Sequence, residues 1–491
     1  MTVDAESLLW RDVGIFRGRY EKSASALVAI KEALERNRPL RGGEQEFLDL
    51  YQIASAARPE HFGAVWSDPA AYFWVRMAYQ LVATCLTNSP LTNLGQAYCT
   101  ALGMPDPREA LTRHLADFKR YVLALHCVSG EDCDFTRPLE VTLPFAIPAT
   151  RWSLTGKGSA QIHGLVDGYL KVSYQSRTDR LPLKLRPSSD PTTLTIDECP
   201  MATHEGYELL LQPHAFNLPG LDFVEPVLDV GHGYQLEHAR LVEQALSLID
   251  RYQPEAYSQF RSLMRHIALK PLRKGGYTNS SHSDLPGASV CGVVHEPYEL
   301  ADGLIHEFYH NRLFFIEEIA PFFSDSADAL ENSGYYSPWR TDLRPLHGIL
   351  HALYVYLPLC RFWLQVYLGA EVAGMRLNYV RDRLVRIPLQ LRIAIHQVAR
   401  HAQFSDFGMM LFEQLKKDVA GLRDTIGVSG LSIDVPAFVC LEDGSFRYQV
   451  GMSGGQPLSV REAVLEHIRD HDRHKQCGGL LDELSRGDQL F

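Results

Sequence analysis

The chain has 491 residues, 46% of them hydrophobic and 22% charged, with a formal net charge of −11. This is the balance of an ordinary globular protein with enough apolar residues for two or three domains. The acidic excess argues against a nucleic-acid partner, which requires a basic face. Nine cysteines, odd in number and without a CxxC pair, read as reduced thiols and not as a disulfide or zinc framework. The opening MTVDAESLLWRDVG lacks the basic and apolar regions of a signal peptide, so a cytoplasmic protein is expected. The longest apolar runs, Ile349–Leu359 and Phe362–Ala370, are interrupted by Pro358 and Arg361, and no membrane span is expected.

The fold class that the pattern predicts is α+β, predominantly helical with a flanking β-rich region. Residues 1–130 form an N-terminal helical region. Apolar spacing predicts helices over Ser7–Trp10, Ala24–Glu35, Glu44–Ala57, Ala71–Leu86 and Arg108–Cys127. Breakers separate them at Asn37–Pro39, Arg58–Pro59 and Gly103–Pro105. His61, His114 and His126 are isolated there and read as structural. Residues 131–232 are β-rich and mostly antiparallel, with short β-branched runs cut by Gly, Pro, Asp and Ser. An edge of such a sheet offers a place for an extended peptide.

Residues 233–425 are expected to be a helical, metal-binding catalytic domain. Its pattern is helical from 235 to 268, then polar and Gly-rich, then β-like over Ala288–Val294. Asn279, Ser280, Ser281, His282 and Asp284 in the polar stretch are candidate cleft residues. Glu296–Pro297 turns the chain into ELADGLIHEFYHNRLFFIEEI, which carries His306, Glu307 and His310 as HExxH. On a helix the two histidines share one face, one turn apart. Glu307 lies about 100° round from His306 and borders a metal that both rings hold. The helix is apolar on most sides, and two His and a Glu buried there need partners that a metal supplies.

A second dense stretch, GYYSPWRTDLRPLHGILHALYVY, brings Tyr336, Trp339, Arg340, Asp342 and Arg344 together before a helix starting near Pro345. His347 and His351 lie on one face of that helix. The metal site is therefore expected between the HExxH helix and this one, with His351 as third ligand and His347 and Asp284 as alternatives. Residues 426–491 hold a hairpin, Ala437–Val450, turning at Glu442–Asp443–Gly444, and a charged helix, Val460–His474.

Three His suit zinc and some iron sites. A zinc metallopeptidase would use Glu307 as general base on metal-bound water. A non-haem iron oxygenase would need an Arg to grip the far carboxylate of 2-oxoglutarate, and Arg340 or Arg344 is of the right kind. A metal-free peptide-binding scaffold is the third class.

TNSSHSDLPG, ELADGLIHEFYHNRL and YYSPWRTDLRPLHGILHALYVY, in that order, resemble the HEXXH motif domain family found with ribosomally synthesised peptide pathways. The resemblance is dense over about residues 275–363. It implies an Fe(II)- and 2-oxoglutarate-dependent enzyme hydroxylating the β-carbon of residues in a precursor peptide. By position, His306 and His310 are then metal ligands, with His351 assigned as the third and Arg340 or Arg344 to the cosubstrate. The precursor peptide is the implied partner; neither a membrane nor an oligomeric state follows from the sequence.

Overall fold

The computed structural model describes residues 5–11, 14–37, 42–175, 177–182, 194–212, 216, 218–221, 231–271, 279–325, 334–428, 435–441, 443–449, 452–453, 456–457 and 458–470. The chain is mixed α+β and about 59% helical, so helix dominates as the pattern predicts.

The N-terminal part comprises α1 (Ala5–Trp10), α2 (Gly14–Arg36), α3 (Gly42–Ser55), α4 (Pro59–Trp66), α5 (Pro69–Thr87), α6 (Asn93–Ala101), α7 (Pro107–Ala116) and α8 (Lys119–Ser129). Proline opens α4, α5 and α7 at the first turn, where its missing N–H costs nothing. The single helix expected over Arg108–Cys127 is two: Asp117 caps α7, and its carboxylate pairs with Arg120 at 2.9 Å. His114 is satisfied inside the core, with Trp74 O 2.9 Å from Nε2 and Tyr98 Oη 2.6 Å from Nδ1.

Three larger sheets follow. β1 (Cys133–Thr142), β4 (Ser159–Val166), β5 (Tyr169–Tyr174) and β6 (Arg177–Pro182) form an antiparallel sheet in that order. β2 (Phe145–Ala146), β3 (Trp152–Thr155) and β7 (Thr195–Glu198) form another. The third has the order β11 (Ser280–Ser281), β12 (Ala288–Val293), β10 (His266–Pro271), β9 (Tyr207–Leu211), β8 (Met201–His204). Here β10 runs parallel to both β9 and β12. This sheet takes strands from both sides of the boundary expected at 232/233, so that boundary cuts a sheet and does not separate two cores. The helical pattern read through residue 268 also ends early. After α9 (Gly231–Tyr252) and α10 (Pro254–Leu263), Met264 turns extended and His266–Pro271 becomes the central strand. Burial on both faces hides the two-residue alternation that marks a strand.

That sheet divides the two main cores. Ile267, Leu269, Cys291 and Val293 face the helices that follow, whereas Ala268, Ala288 and Val290 face the N-terminal helices and small sheets. On the first side pack α11 (Pro297–Glu317), α12 (Leu346–Leu368), α13 (Gly374–His401) and α14 (Asp406–Val428). Pro358, which interrupts the apolar run, lies inside α12 without ending it. The helix runs through it, and Gln253 donates to the Pro358 carbonyl at 2.7 Å. By length and composition α12 is apolar enough to cross a membrane, but 78% of its apolar window is buried within the protein. Near the C-terminus β13 (Phe438–Cys440) pairs antiparallel with β14 (Phe446–Tyr448), as the hairpin pattern predicts, and α15 (Val460–Asp470) follows. Glu442, Val450 and residues 471–474 of those expected elements lie outside the described residues.

Candidate functional site

Helix α11 starts where its sequence dictates. Glu296 caps it by accepting from the Glu299 N–H at 3.0 Å, and Pro297 fills the first turn. Leu300, Leu304, Ile305, Phe308, Leu313 and Ile316 are buried round most of its circumference. Arg312, fully buried, donates to the Leu8 and Leu9 carbonyls at 2.9 and 2.8 Å and to Gln259 Oε1 at 2.7 Å, tying α1 and α10 to the helix. The HExxH helix is thus fixed from several sides before any ligand is considered.

His306, His310, Phe314 and Glu317 follow at intervals of four, four and three, so they form one stripe along α11. On the facing helix α12, His347 and His351 lie one turn apart, and Tyr356, five residues further on, reaches His306. His306 meets Tyr356, with ring centroids 5.4 Å apart; His310 meets His351, and Glu317 meets His347. The contacts run in opposite order along the two helices, so the helices are antiparallel and these side chains form one seam. Within it, His306 Nε2 lies 3.1 Å from His310 Nε2. His310 Nδ1 lies 3.3 Å from His351 Nδ1, and His351 Nε2 lies 3.0 Å from Glu317 Oε1. His347 Nε2 contacts the same Glu317 oxygen.

Burial sets the charge states. Desolvation lowers the pKa of His306 to about 4, lowers His310 well below its ordinary value and lowers His351 as well. These rings are therefore neutral near pH 7, the form that ligates metals. Burial alone would push the Glu317 carboxyl up, but His351 and His347 outweigh it and hold it far below the usual carboxylate range. Among the described residues, Glu317, His347 and His351 are the one set of three or more His, Cys, Asp or Glu side chains whose ligand atoms all lie within 4.8 Å of one another. His351, expected beside His306 and His310, touches His310 and is gathered with Glu317 and His347.

Glu307 turns off the seam. Ser281 Oγ donates to Glu307 Oε2, and Asn311 Nδ2 donates to Ser281 Oγ at 3.0 Å, to Ser289 Oγ at 3.2 Å and to the Glu307 carbonyl at 2.9 Å. Asn311 Oδ1 accepts from Gly287 N at 2.8 Å. Only 1% of Glu307 is exposed, and burial pushes its carboxyl up to about 8 despite the Ser281 hydrogen bond. Its other oxygen, Oε1, lies 3.9 Å from His306 Nε2.

The other expected site residues divide. Asn279 sits against α11 beside Gly303, where an added Cβ would meet Asn279 Nδ2 at 2.8 Å, and its Oδ1 accepts from Gly292 N. Ser281 supports Glu307. Asp284 faces away from the seam and pairs with Arg76 of α5 at 2.5 Å, while His282 Nδ1 accepts from Asp284 N. Trp339 does reach the seam. It stacks on Tyr356 at 4.7 Å, and its buried Nε1 has no hydrogen-bond partner. Tyr336 does not reach it: it is buried in a third core with α13 and α15, its Oη 2.6 Å from His467 Nδ1. The turn at Pro338–Trp339 separates the two side chains and leaves Tyr336 in the third core. Arg340 and Arg344 share Asp342 at 3.0 and 3.2 Å, with side chains 54% and 36% exposed.

Sequence reasoning missed Glu317, Asp302 and Arg383. Glu317 was legible, since it continues the His306–His310 stripe. Asp302, one turn before His306, accepts from Trp363 Nε1 at 2.5 Å and pairs with Arg383 of α13. Arg383 carries no motif signal. No family model matches the chain, and no curated protein matches it.

Proposed function

We propose that this chain is a non-haem iron, 2-oxoglutarate-dependent oxygenase that hydroxylates the β-carbon of a residue in a ribosomally made precursor peptide. His306, His310 and His351 hold the metal. His306 and His310 bring their Nε2 atoms together at 3.1 Å, and His351 presents Nδ1 to the other nitrogen of His310 at 3.3 Å. A ring turn of His310 or His351 is therefore needed to bring all three onto one ion, and Glu317 sits on the outer nitrogen of His351. A carboxylate in that place keeps the proton on Nε2 and leaves Nδ1 free to ligate, as second-shell carboxylates do in metal sites. Bound iron supplies O2 activation, with 2-oxoglutarate oxidised to succinate and carbon dioxide as one oxygen atom goes to the peptide.

The observation that carries the oxygenase over a hydrolase is the state of Glu307. A hydrolytic base has to be ionised and turned toward the metal's water. Glu307 is instead tied through Oε2 to Ser281 and shielded from solvent. Trp339 and Tyr356 wall the His306 end of the seam. Arg340 and Arg344 exchange Asp342 for the distal carboxylate of 2-oxoglutarate, for which a planar guanidinium is suited. The protein works in the cytoplasm, in keeping with free thiols at all eight described cysteines.

The test is incubation of a peptide encoded by a short reading frame beside the gene with Fe(II), 2-oxoglutarate and ascorbate. The peptide gains the mass of one oxygen atom and succinate forms in step. Cleavage with zinc alone would instead support the metallopeptidase reading, which the 3.9 Å between Glu307 Oε1 and His306 Nε2 favours. Binding without change would support the scaffold.

A further inference from the structure

Across the central sheet from the seam lies a cavity of about 220 Å³. Strand alternation explains its position. Ile267 and Leu269 of β10 point to the seam side, so His266 points to the N-terminal side; Leu209 and Leu211 of β9 do the same and leave Gln212 on the cavity wall. Phe73, Trp74 and Phe145 supply aromatic walls. Arg120 lies over the Phe145 ring at 5.0 Å and is paired with Asp117.

Three side chains in this wall carry buried atoms with no hydrogen-bond partner; one, Arg120 Nε, is ion-paired with Asp117 at 2.9 Å, and the other two are incomplete. Gln212 is 1% exposed, and neither its Nε2 nor its Oε1 has a hydrogen-bond partner. His266 is 3% exposed; its Nε2 lies 2.7 Å from Asp68 Oδ2, but its Nδ1 has no partner. Buried amides are almost always paired, because an unpaired donor and acceptor cost stability. The other charged groups here have partners: Asp68 accepts from Ala70 N and Ala149 N, and Arg113 pairs with Glu140. A ligand is thus asked for one donor and one acceptor side by side, and for no net charge.

We propose that this cavity binds a small aromatic carboxamide, its amide pairing donor to acceptor with Gln212 and its ring held between Phe73, Trp74 and Phe145. A cavity of about 150 Å³ admits benzene, so this one has room for a ring and an amide. His266 Nδ1 stands on the same wall as a further polar contact for the head group.

The test uses the full chain and benzamide, followed by calorimetry and thermal denaturation, with benzoate and toluene as probes that lack the amide. Benzamide binds saturably and raises Tm, and benzoate and toluene bind at least about tenfold more weakly. Gln212→Leu folds with a Tm no lower than the parent, because it removes an unpaired amide, and weakens benzamide at least about tenfold. Gln212→Met serves the same purpose if the branched side chain is not accommodated. His306→Ala leaves benzamide binding unchanged, so the outcome is independent of the metal seam. Absence of saturable benzamide binding, or equal binding by the parent and both Gln212 variants, overturns the proposal. So does a Gln212→Leu variant that is less stable and binds benzamide as the parent does, which would mark the amide as a water-satisfied core group.

Discussion

Glu317 Oε1 lies 3.0 Å from Nε2 of His351, while His351 Nδ1, across the same ring, lies 3.3 Å from His310 Nδ1. One imidazole thus links an anionic carboxylate to the HExxH pair. The order of groups along the seam makes different variants fail in different ways.

Metal content separates ligands from their supports. His306→Ala, His310→Ala and His351→Ala each lose stoichiometric Fe(II) or Zn(II). Glu317→Gln and His347→Ala keep the site but weaken it by about 10–100-fold, the usual effect of removing an outer partner. Equilibrium dialysis with metal analysis reads this. If Glu317 and His347 variants lost the metal while His306→Ala retained it, the ligands would be Glu317, His347 and His351, a two-His-one-carboxylate set.

Glu307 makes a pH prediction for the metal-free chain. Its folded pKa is raised to about 8 from the ordinary 4.5. The folded state therefore holds a proton that the unfolded state has released. Stability contributed by this group is complete below about pH 4.5 and declines as pH rises toward 8. Glu307→Gln removes that decline, so the variant loses less stability than the parent between pH 5 and 8, in roughly the window those two values define. Urea titrations at several pH values measure it. Fe(II)- and 2-oxoglutarate-dependent turnover of Glu307→Gln stays within about threefold, whereas loss of a general base costs about 10²–10⁴-fold.

Asp68 gives the opposite slope. Burial pushes its carboxyl up, but His266 and the N–H groups of Ala149 and Ala70 outweigh this and hold it below the usual range. Its stabilisation is present above the unfolded carboxylate pKa and is lost as pH falls through the lower folded value. Asp68 also caps α5, so Asp68→Ala removes the cap and leaves His266 without its partner. The expected loss is about 3–5 kcal/mol in chemical denaturation. A loss below about 1 kcal/mol would mean that the pair is replaceable by water.

Arg340 and Arg344 bear on the cosubstrate. Both are partly exposed and already share Asp342, so each alone is worth less than a fully desolvated clamp. Replacing both with Ala raises the apparent KM for 2-oxoglutarate by at least about tenfold with metal content unchanged. Lys at both positions does not restore it, because an ammonium lacks the planar fork. Unchanged 2-oxoglutarate dependence in the double variant would remove these residues from the site.

The parts of the molecule legible in its sequence are those with a strong period or cap. The HExxH helix, the helix after Pro345 and the 438–448 hairpin follow from such signals. The central strand His266–Pro271 did not, because a strand buried on both faces between two cores lacks the alternation that identifies it. Pro358 interrupts the apolar run but not the helix, because a proline in a buried helix can be carried by packing around it. Tyr336 and Trp339, close neighbours in sequence, face different cores, which composition alone does not distinguish. Glu317 continues the histidine stripe and was available to the same reasoning that found His310.

The most direct measurement is anaerobic addition of Fe(II) and 2-oxoglutarate to the metal-free protein, followed by visible absorption spectroscopy. The predicted result is a weak metal-to-ligand charge-transfer band that saturates at one iron per chain, requires 2-oxoglutarate and is absent from His306→Ala and His351→Ala. No band with iron bound, or no iron bound at all, would contradict the account.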